Sequence, residues 1–150
     1  KVVHPALQDG ACLDCHEAHA AENPKNLRMP IPAICEECHE KKDGGPVVHP
    51  ALTRYGCTAC HDPHATANKA MLIAPINELC ATCHPAQKDG AHIFTSFSGV
   101  PHAVEKKKDP ARPGADLSCI SCHNPHSGKF PRLFHEVENK SEMCRRCHKI

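Results

Sequence analysis

Six short motifs of the form Cys-x-x-Cys-His dominate this sequence. All twelve cysteines fall into pairs at this one spacing, and a histidine follows every pair directly. Two intervening residues set the paired thiols about one turn apart on the same side of the chain. The pairs with their histidines are Cys12/Cys15–His16, Cys35/Cys38–His39, Cys57/Cys60–His61, Cys80/Cys83–His84, Cys119/Cys122–His123 and Cys144/Cys147–His148.

The remaining composition cannot build an ordinary hydrophobic core. The 150 residues include no Trp, one Tyr and four Phe, while fourteen Pro and eight Gly interrupt the chain. Frequent Pro and Gly predict a mostly irregular chain with short α-helices and little or no sheet. A compact fold of this kind needs something besides side chains to fill and hold it.

A longer repeat contains the motifs. The stretch VVHPALQDGACLDCHEAH aligns without a gap with VVHPALTRYGCTACHDPH, and the following motifs keep the same offset. A third copy carries an insertion before its first cysteine pair. Each copy reads His, then CxxCHxxH, then CxxCH, so we expect three repeats within one continuous unit. The expected boundaries are 1–43, 44–88 and 89–150.

Cys-x-x-Cys-His is the covalent attachment motif of c-type haem. The two thiols add to the porphyrin vinyl groups, and the histidine becomes the proximal iron ligand. A thioredoxin-type redox pair is expected once and beside a βαβ pattern. Zinc sites and disulfides do not require a histidine after every pair. The sequence therefore predicts six covalently attached c-type haems, which also supply the missing interior.

Eight further histidines are candidates for the opposite, distal side of the irons. Each repeat offers a leading histidine (His4, His49, His102) and a trailing one (His19, His64, His126). Spacing along the chain predicts that His4, His19, His49, His64, His102 and His126 serve haems 1 to 6, numbered in motif order. His92 and His135 are the substitutes. Met29, Met71 and Met143 offer His/Met ligation, but packing against porphyrin is the simpler interpretation.

The sequence resembles the multihaem c-type cytochromes with the doubled CxxCH motif. Residues 12–19 with 35–39, 57–64 with 80–84, and 119–126 with 144–148 carry the resemblance. It implies bis-histidine haems packed closely in a chain that conducts electrons. Some relatives are soluble periplasmic carriers, and others form extracellular filaments in which a distal histidine comes from the adjoining subunit.

These features predict electron transfer in extracytoplasmic anaerobic respiration or in extracellular electron transfer. The chain is expected not to be an enzyme. The alternative is a multihaem reductase with one open haem, acting on nitrite, hydroxylamine or sulfite. A filament subunit is a further hypothesis, with His4 near the first residue as the donor to a neighbour.

Expected partners are redox proteins, extracellular electron acceptors and, in a filament, copies of the chain itself. The sequence has no basic stripe with interleaved aromatic residues, so nucleic acid is not an expected partner. No apolar run reaches the length of a membrane span. The sequence starts at Lys1 without a signal peptide. We therefore expect a processed protein in the periplasm, outside the cell or on its surface.

Overall fold

The structure, a computed structural model, describes residues 1–88, 107–135, 137 and 140–149. Within these residues no helix exceeds six residues and no strand exceeds two. The predicted fold class, loops with short helices and little sheet, is confirmed. The helices are α1 (Pro5–Gln8), α2 (Ala33–Glu36), α3 (Pro50–Tyr55), α4 (Ile76–Ala81), α5 (Pro85–Lys88) and α6 (Lys140–Arg145). The strands are β1 (Val2–Val3), β2 (Val47–Val48), β3 (Ala65–Thr66) and β4 (Ser127–Gly128).

Proline sets where several of these elements begin. Helices α1, α3 and α5 all start on a proline, the residue type best suited to the first helical position because its missing N–H is not needed there. Asp62 and Asn124 lie outside any helix, because each precedes a proline and is therefore kept from the α conformation. In the described part of the chain no helix is both long and apolar enough to cross a membrane.

One compact unit consists of Lys1–Asp43 and Pro50–Ile73. Its small sheet joins the start of the first repeat to the middle of the second, because β1 pairs antiparallel with β3. Val2 lies opposite Thr66, and the His4 N–H donates to the His64 carbonyl at 2.9 Å. This pairing brings a leading and a trailing histidine side by side.

The other unit consists of Gly44–His49 and Ala74–Ile150. Here β2 pairs antiparallel with β4, and the His49 N–H donates to the His126 carbonyl at 2.8 Å. A Cβ at Gly45 would meet the Gly128 nitrogen at 2.7 Å, so this approach needs glycine. Strand β2 belongs to the second repeat by sequence but pairs with a strand of the third, so the two units divide the chain differently from the expected repeats. The expected repeat boundaries stay a prediction.

Few side chains are buried in either unit. Among the described residues, the buried hydrophobic ones are Leu133, 7% exposed, and Met143, 8% exposed. Large apolar side chains such as Leu13 and Tyr55 remain about 60% exposed. The described residues therefore do not form a conventional core, which agrees with the expectation that another group supplies the interior.

A polar cluster organises the chain before the fifth motif. Asp109 is 3% exposed, and its carboxylate accepts hydrogen bonds from Arg112 Nε at 2.6 Å and from the Ala111 N–H at 2.9 Å. Arg112 in turn donates to the hydroxyls of Ser118 and Ser121. Burial acts to raise the pKa of Asp109, but these hydrogen bonds outweigh it and lower the pKa below its usual value.

Replacing Asp109 with Ala will lower the free energy of unfolding by about 3 kcal/mol, because Arg112 loses its buried partner. A carboxylate with a lowered folded-state pKa stabilises the fold above about pH 4, and this contribution disappears as the pH falls through the lowered value. Denaturation of the holoprotein across acidic pH measures both effects. Asp116→Ala is the control, since its ion pair with Lys108 is exposed and contributes less than about 1 kcal/mol. Equal losses in the two variants would contradict this account.

Candidate functional site

All six motifs fold into the same tight turn. The carbonyl of the first cysteine accepts hydrogen bonds from the N–H of the second cysteine, at 3.1–3.3 Å, and of the histidine, at 2.9–3.1 Å. None of the twelve cysteines forms a disulfide. Each motif thus presents two thiols outside any disulfide and one imidazole from a single turn, as attachment of a c-type haem requires.

The cysteines differ in how far the surrounding chain covers them. Nine are partly buried, whereas Cys12, Cys38 and Cys83 are exposed. For Cys38 and Cys83 the reason is local: helices α2 and α4 carry the partly buried Cys35 and Cys80, and each second cysteine comes two residues after its helix ends. Haem attachment through all twelve cysteines stays a prediction from the motif.

The first motif histidine of every repeat is oriented by a backbone carbonyl. The Nδ1–H groups of His16, His61 and His123 donate to carbonyls nine residues later, at 2.9, 2.8 and 2.7 Å respectively. Because a carbonyl can only accept, Nδ1 carries the proton in each ring. Nε2 is then available for a metal, with its tautomer fixed by the hydrogen bond. The accepting residues are Lys25, Ala70 and Arg132.

These carbonyls are oriented by turns in which the backbone is left-handed. Lys25, Ala70 and Arg132 have φ of 62°, 54° and 62°, and the residue after each is also left-handed. Left-handed backbone costs about 1–2 kcal/mol per non-glycine residue. Its recurrence at one position in three repeats indicates that the turn is held in place to orient the histidine.

Replacing Ala70 with Pro will raise the reduction potential of the haem expected on Cys57 and Cys60. Proline cannot adopt a φ of 54°, so the carbonyl turns away from His61 Nδ1. An imidazole without this acceptor donates less electron density to iron, which disfavours the ferric state. Potentiometric titration of the holoprotein measures the change, and Ala70→Gly, which permits the turn, is the control. Unchanged potentials in Ala70→Pro would contradict the proposed role of the turn.

His16 and His64 face each other in the first unit. Their ring centres are 6.1 Å apart and their planes differ by 12°. His16 Nδ1 is bound to the Lys25 carbonyl, while His64 Nδ1 lies 3.5 Å from an Asp62 carboxylate oxygen. Both Nδ1 atoms thus have protein partners, so Nε2 is the nitrogen of each ring that could bind a metal.

Two further pairs have nearly the same separation. The rings of His4 and His39 are 6.1 Å apart at 70°, and those of His49 and His84 are 6.2 Å apart at 81°. Burial, followed by the nearby His84, lowers the pKa of His49 and so favours the neutral imidazole that binds metal. The Ala6 N–H lies 3.3 Å from His4 Nδ1. Ligation through His4 Nε2 requires a proton on Nδ1, so this long contact would be given up.

The three separations fit one iron with two axial imidazoles. Metal–nitrogen bonds of about 2.0–2.1 Å, with about 1.1 Å from each nitrogen to its ring centre, place the two centres roughly 6.3 Å apart. Simple ring contacts also reach this range. They do not explain why every pair joins one motif histidine to one histidine outside the motifs, at 6.1–6.2 Å each time.

The partners differ from those expected from spacing along the chain. His4 lies beside His39 of haem 2, not with haem 1, and His49 lies beside His84 of haem 4, not with haem 3. His64 lies beside His16 of haem 1, not with haem 4. The reason is the pairing of β1 with β3 and of β2 with β4, which joins each leading histidine to a trailing histidine of the next repeat. Ligation itself stays a prediction.

The other candidate histidines have different surroundings. His126 follows the pattern of His64, since its carbonyl accepts from the His49 N–H at 2.8 Å. His19 is exposed. His135 Nε2 donates to the Ile120 carbonyl at 2.9 Å, an arrangement that uses the nitrogen an iron would need. The predicted ligand His102 and the substitute His92 lie outside the described residues.

Residues that orient the trailing histidines were missed in the sequence. The side chains of Asp62 and Asn124 accept hydrogen bonds from the backbone N–H of His64 and His126, at 2.8 and 3.0 Å. The sequence does contain a signal for them, because Asp and Asn side chains often accept a hydrogen bond from the backbone N–H two residues later. The carbonyls of Lys25, Ala70 and Arg132 have no comparable signal, since any residue supplies a carbonyl.

Thiols of successive motifs lie close together inside each unit. Burial, then the charge and hydrogen bonding of Cys57, raises the pKa of Cys35 to about 11, and Cys15 adds a smaller effect. A hydrogen bond with Cys80 lowers the pKa of Cys119 to about 7, against the effect of burial. Burial, then Cys147, raises the pKa of Cys122. A cysteine attached to haem is a thioether and does not ionise, so these pKa shifts would not occur in a haem protein. Their causes nevertheless indicate that consecutive attachment sites are neighbours.

The described residues contain no group of three or more His, Cys, Asp or Glu side chains arranged to hold a metal ion. The histidines are instead arranged in pairs. A family model described as the doubled CXXCH motif matches the chain over residues 4–44, 49–89 and 109–149. The first two matches begin at His4 and His49, whereas the third begins at Asp109, within the irregular copy. Comparison with curated proteins gives no significant match.

Proposed function

Because the chain belongs to the family of proteins with the doubled CXXCH motif, we propose that it is an electron carrier with six c-type haems, each iron held by two histidines. The motifs indicate covalently bound c-type haem, and the family indicates electron transfer by a multihaem cytochrome. The observation that carries the finer proposal is the recurrence of three histidine pairs at 6.1–6.2 Å.

The six motif histidines are the proposed proximal ligands, and the twelve cysteines, the exposed Cys12, Cys38 and Cys83 among them, hold the porphyrins. We assign His64 to the haem of His16, His4 to that of His39, and His49 to that of His84. His19, His102 and His126 stay proposed ligands, without a partner assigned from ring geometry. The domain proposal is unchanged: repeats at 1–43, 44–88 and 89–150 carry two haems each.

The contacts between thiols support a path in sequence order. Cys35 forms a hydrogen bond with Cys57 and interacts electrostatically with Cys15, so haem 2 is proposed to lie between haems 1 and 3. Cys119 lies beside Cys80, and Cys122 lies near Cys147, which gives the order haem 4, haem 5, haem 6. Neighbouring attachment sites place redox centres close together, and closely spaced centres exchange electrons fastest.

Haem held by these residues would supply one-electron chemistry between the ferric and ferrous states of its iron. The chain's own contribution is to fix both axial imidazoles before any electron arrives. His16 is fixed by the Lys25 carbonyl, and His64 by the Asp62 side chain. Two protein ligands on an iron leave no position for a substrate, so this arrangement favours relay over catalysis.

Multihaem c-type cytochromes are extracytoplasmic proteins. We therefore propose that this protein works in the periplasm or outside the cell, in anaerobic respiration or extracellular electron transfer. Redox proteins or external acceptors would exchange electrons with it, and further copies would do so in a filament.

The test is a haem count joined to a low-temperature EPR spectrum of the oxidised holoprotein. We expect six haems per chain and ferric signals that are low-spin throughout. A haem count below six would remove the hexahaem assignment. A substantial high-spin signal, with turnover of nitrite, hydroxylamine or sulfite, would contradict the relay and favour a reductase.

A further inference from the structure

Helix α4 brings the fourth and fifth motifs together. It carries Cys80 and packs against the turn Cys119–Ser121, with which the fifth motif begins. Asn77 lies three residues before Cys80, and residues at this spacing share one face of a helix. That face is turned towards Cys119, because the side chains of Asn77 and Cys80 both contact this cysteine. All of these residues belong to the unit that contains Ala74–Ile150.

Asn77 holds Cys119 by its backbone as well as by its side chain. The Asn77 Oδ1 accepts hydrogen bonds from the Cys119 N–H at 3.0 Å and from the Cys119 thiol at 3.3 Å. Haem attachment converts the thiol to a thioether, which has no proton to donate. The bond from the backbone N–H does not depend on this change, so Asn77 is able to fix the position of Cys119 in the holoprotein.

The side chains of Cys80 and Cys119 are in contact with each other. Their thiols form a hydrogen bond, and once both are thioethers, two sulfur atoms face each other without a proton between them. Sulfur is soft and polarisable. Each of these sulfurs is expected to be bonded to a different porphyrin, so their contact provides a short connection that consists of covalent bonds and a single gap.

The unit that contains the first three motifs has a corresponding junction built from different contacts. There Cys35 and Cys57, the first cysteines of the second and third motifs, form a hydrogen bond. Pro32 occupies the position of the asparagine, so this junction has no side-chain acceptor at that position. Close approach is provided instead by Gly56, where an added Cβ would lie 3.2 Å from the Ile31 Cγ2. The recurrence of one contact by two chemical means favours a role for the contact itself.

We propose that Asn77 is a positioning residue for electron transfer: it holds the Cys119 sulfur against the Cys80 sulfur, and electrons pass between haems 4 and 5 across this contact. The inference rests on the proposed function and adds the residue that controls one step of it. In that step a ferrous iron loses one electron, a ferric iron gains it, and an external redox protein resupplies the first iron. No bond forms or breaks, and neither sulfur is oxidised.

The experiment measures electron exchange in partly reduced holoprotein by NMR, from haem methyl signals assigned to individual haems by their proximity to the attachment cysteines. Asn77→Leu has a side chain of similar size but no acceptor, so the Cys119 N–H will turn to water and draw the fifth motif away from α4. Because electron transfer slows steeply as a gap widens, exchange between haems 4 and 5 will slow several-fold. Asn77→Ala removes the acceptor without added bulk and will give the same result.

Three comparisons separate positioning from general damage to the protein. Exchange between haems 2 and 3 will stay as in wild type, since that junction has a proline where this one has asparagine. Asn77→Asp keeps an oxygen at the accepting position and will restore exchange between haems 4 and 5 to near the wild-type rate. Glu78→Ala changes an exposed neighbour on the same helix and will leave both rates unchanged.

Exchange between haems 4 and 5 at the wild-type rate in Asn77→Leu would overturn the inference. Equal slowing at both junctions, or slowing that Asn77→Asp does not reverse, would overturn it as well. If six low-spin haems still exchanged electrons in these variants, only the role of Asn77 would fall and the relay would stand. Wild-type protein whose haems exchange no electrons would count against both.

Discussion

His64→Ala will convert one of the six low-spin ferric haems to a high-spin state, and the affected haem will be that of His16. The His64 ring lies 6.1 Å from the His16 ring, with both Nδ1 atoms beside protein acceptors. Removal of the side chain leaves the iron with water or an open position, which weakens the ligand field. EPR of the oxidised holoprotein will show the high-spin signal, and exogenous imidazole will remove it.

The change in His64→Ala is confined to the ligand because His64 is largely exposed, with 60% of its side-chain surface accessible. We therefore expect little loss of stability from packing. His135→Ala is the matched control, since the Nε2 of His135 is bound to the Ile120 carbonyl, and its spectrum will stay low-spin. An entirely low-spin His64→Ala protein would contradict the assignment. If the haem of His84 became high-spin instead, His64 would be its ligand, as chain spacing had suggested.

The oxidised protein will give two kinds of low-spin EPR signal. Each axial imidazole donates electron density perpendicular to its plane, into one of two iron d orbitals. Nearly parallel rings, as in His16 and His64 at 12°, act on the same orbital and split the pair, which gives a rhombic signal. Nearly perpendicular rings, as in the pairs at 70° and 81°, leave the orbitals close in energy and give one strongly anisotropic feature.

Variants connect each signal to its ligand pair. His4→Ala and His49→Ala will each reduce the anisotropic feature and add high-spin intensity, whereas His64→Ala will reduce the rhombic signal. The amplitude lost in each variant should correspond to one haem. A rhombic signal that decreases in His4→Ala would mean that the ring planes, or the partners themselves, differ from those found here.

Local structure around the motifs could be predicted from the sequence. The Cys-x-x-Cys-His spacing dictates the turn that all six motifs adopt, and proline accounts for the short helices. The extended residues Asp62 and Asn124 follow from the prolines after them. These features depend on neighbours within a few residues, for which backbone sterics are sufficient.

The ring neighbours of the candidate distal histidines could not be predicted in the same way. Chain spacing favoured a short connection from His4 back to the haem of His16. The structure instead pairs Val2 and Val3 with residues more than sixty positions later, and this pairing carries His4 to His39. Two valines predict a strand but do not specify which strand it joins. Likewise, nothing in Ala70 indicates that its carbonyl orients His61.

The central claim is that single irons join His16 to His64, His39 to His4 and His84 to His49. A crystal structure of the oxidised holoprotein, with anomalous data at the iron absorption edge, tests it most directly. We predict six iron peaks, with three of them lying between the rings of these pairs. An iron joined to His4 and His16, or one of these three irons without a second imidazole, would contradict the claim.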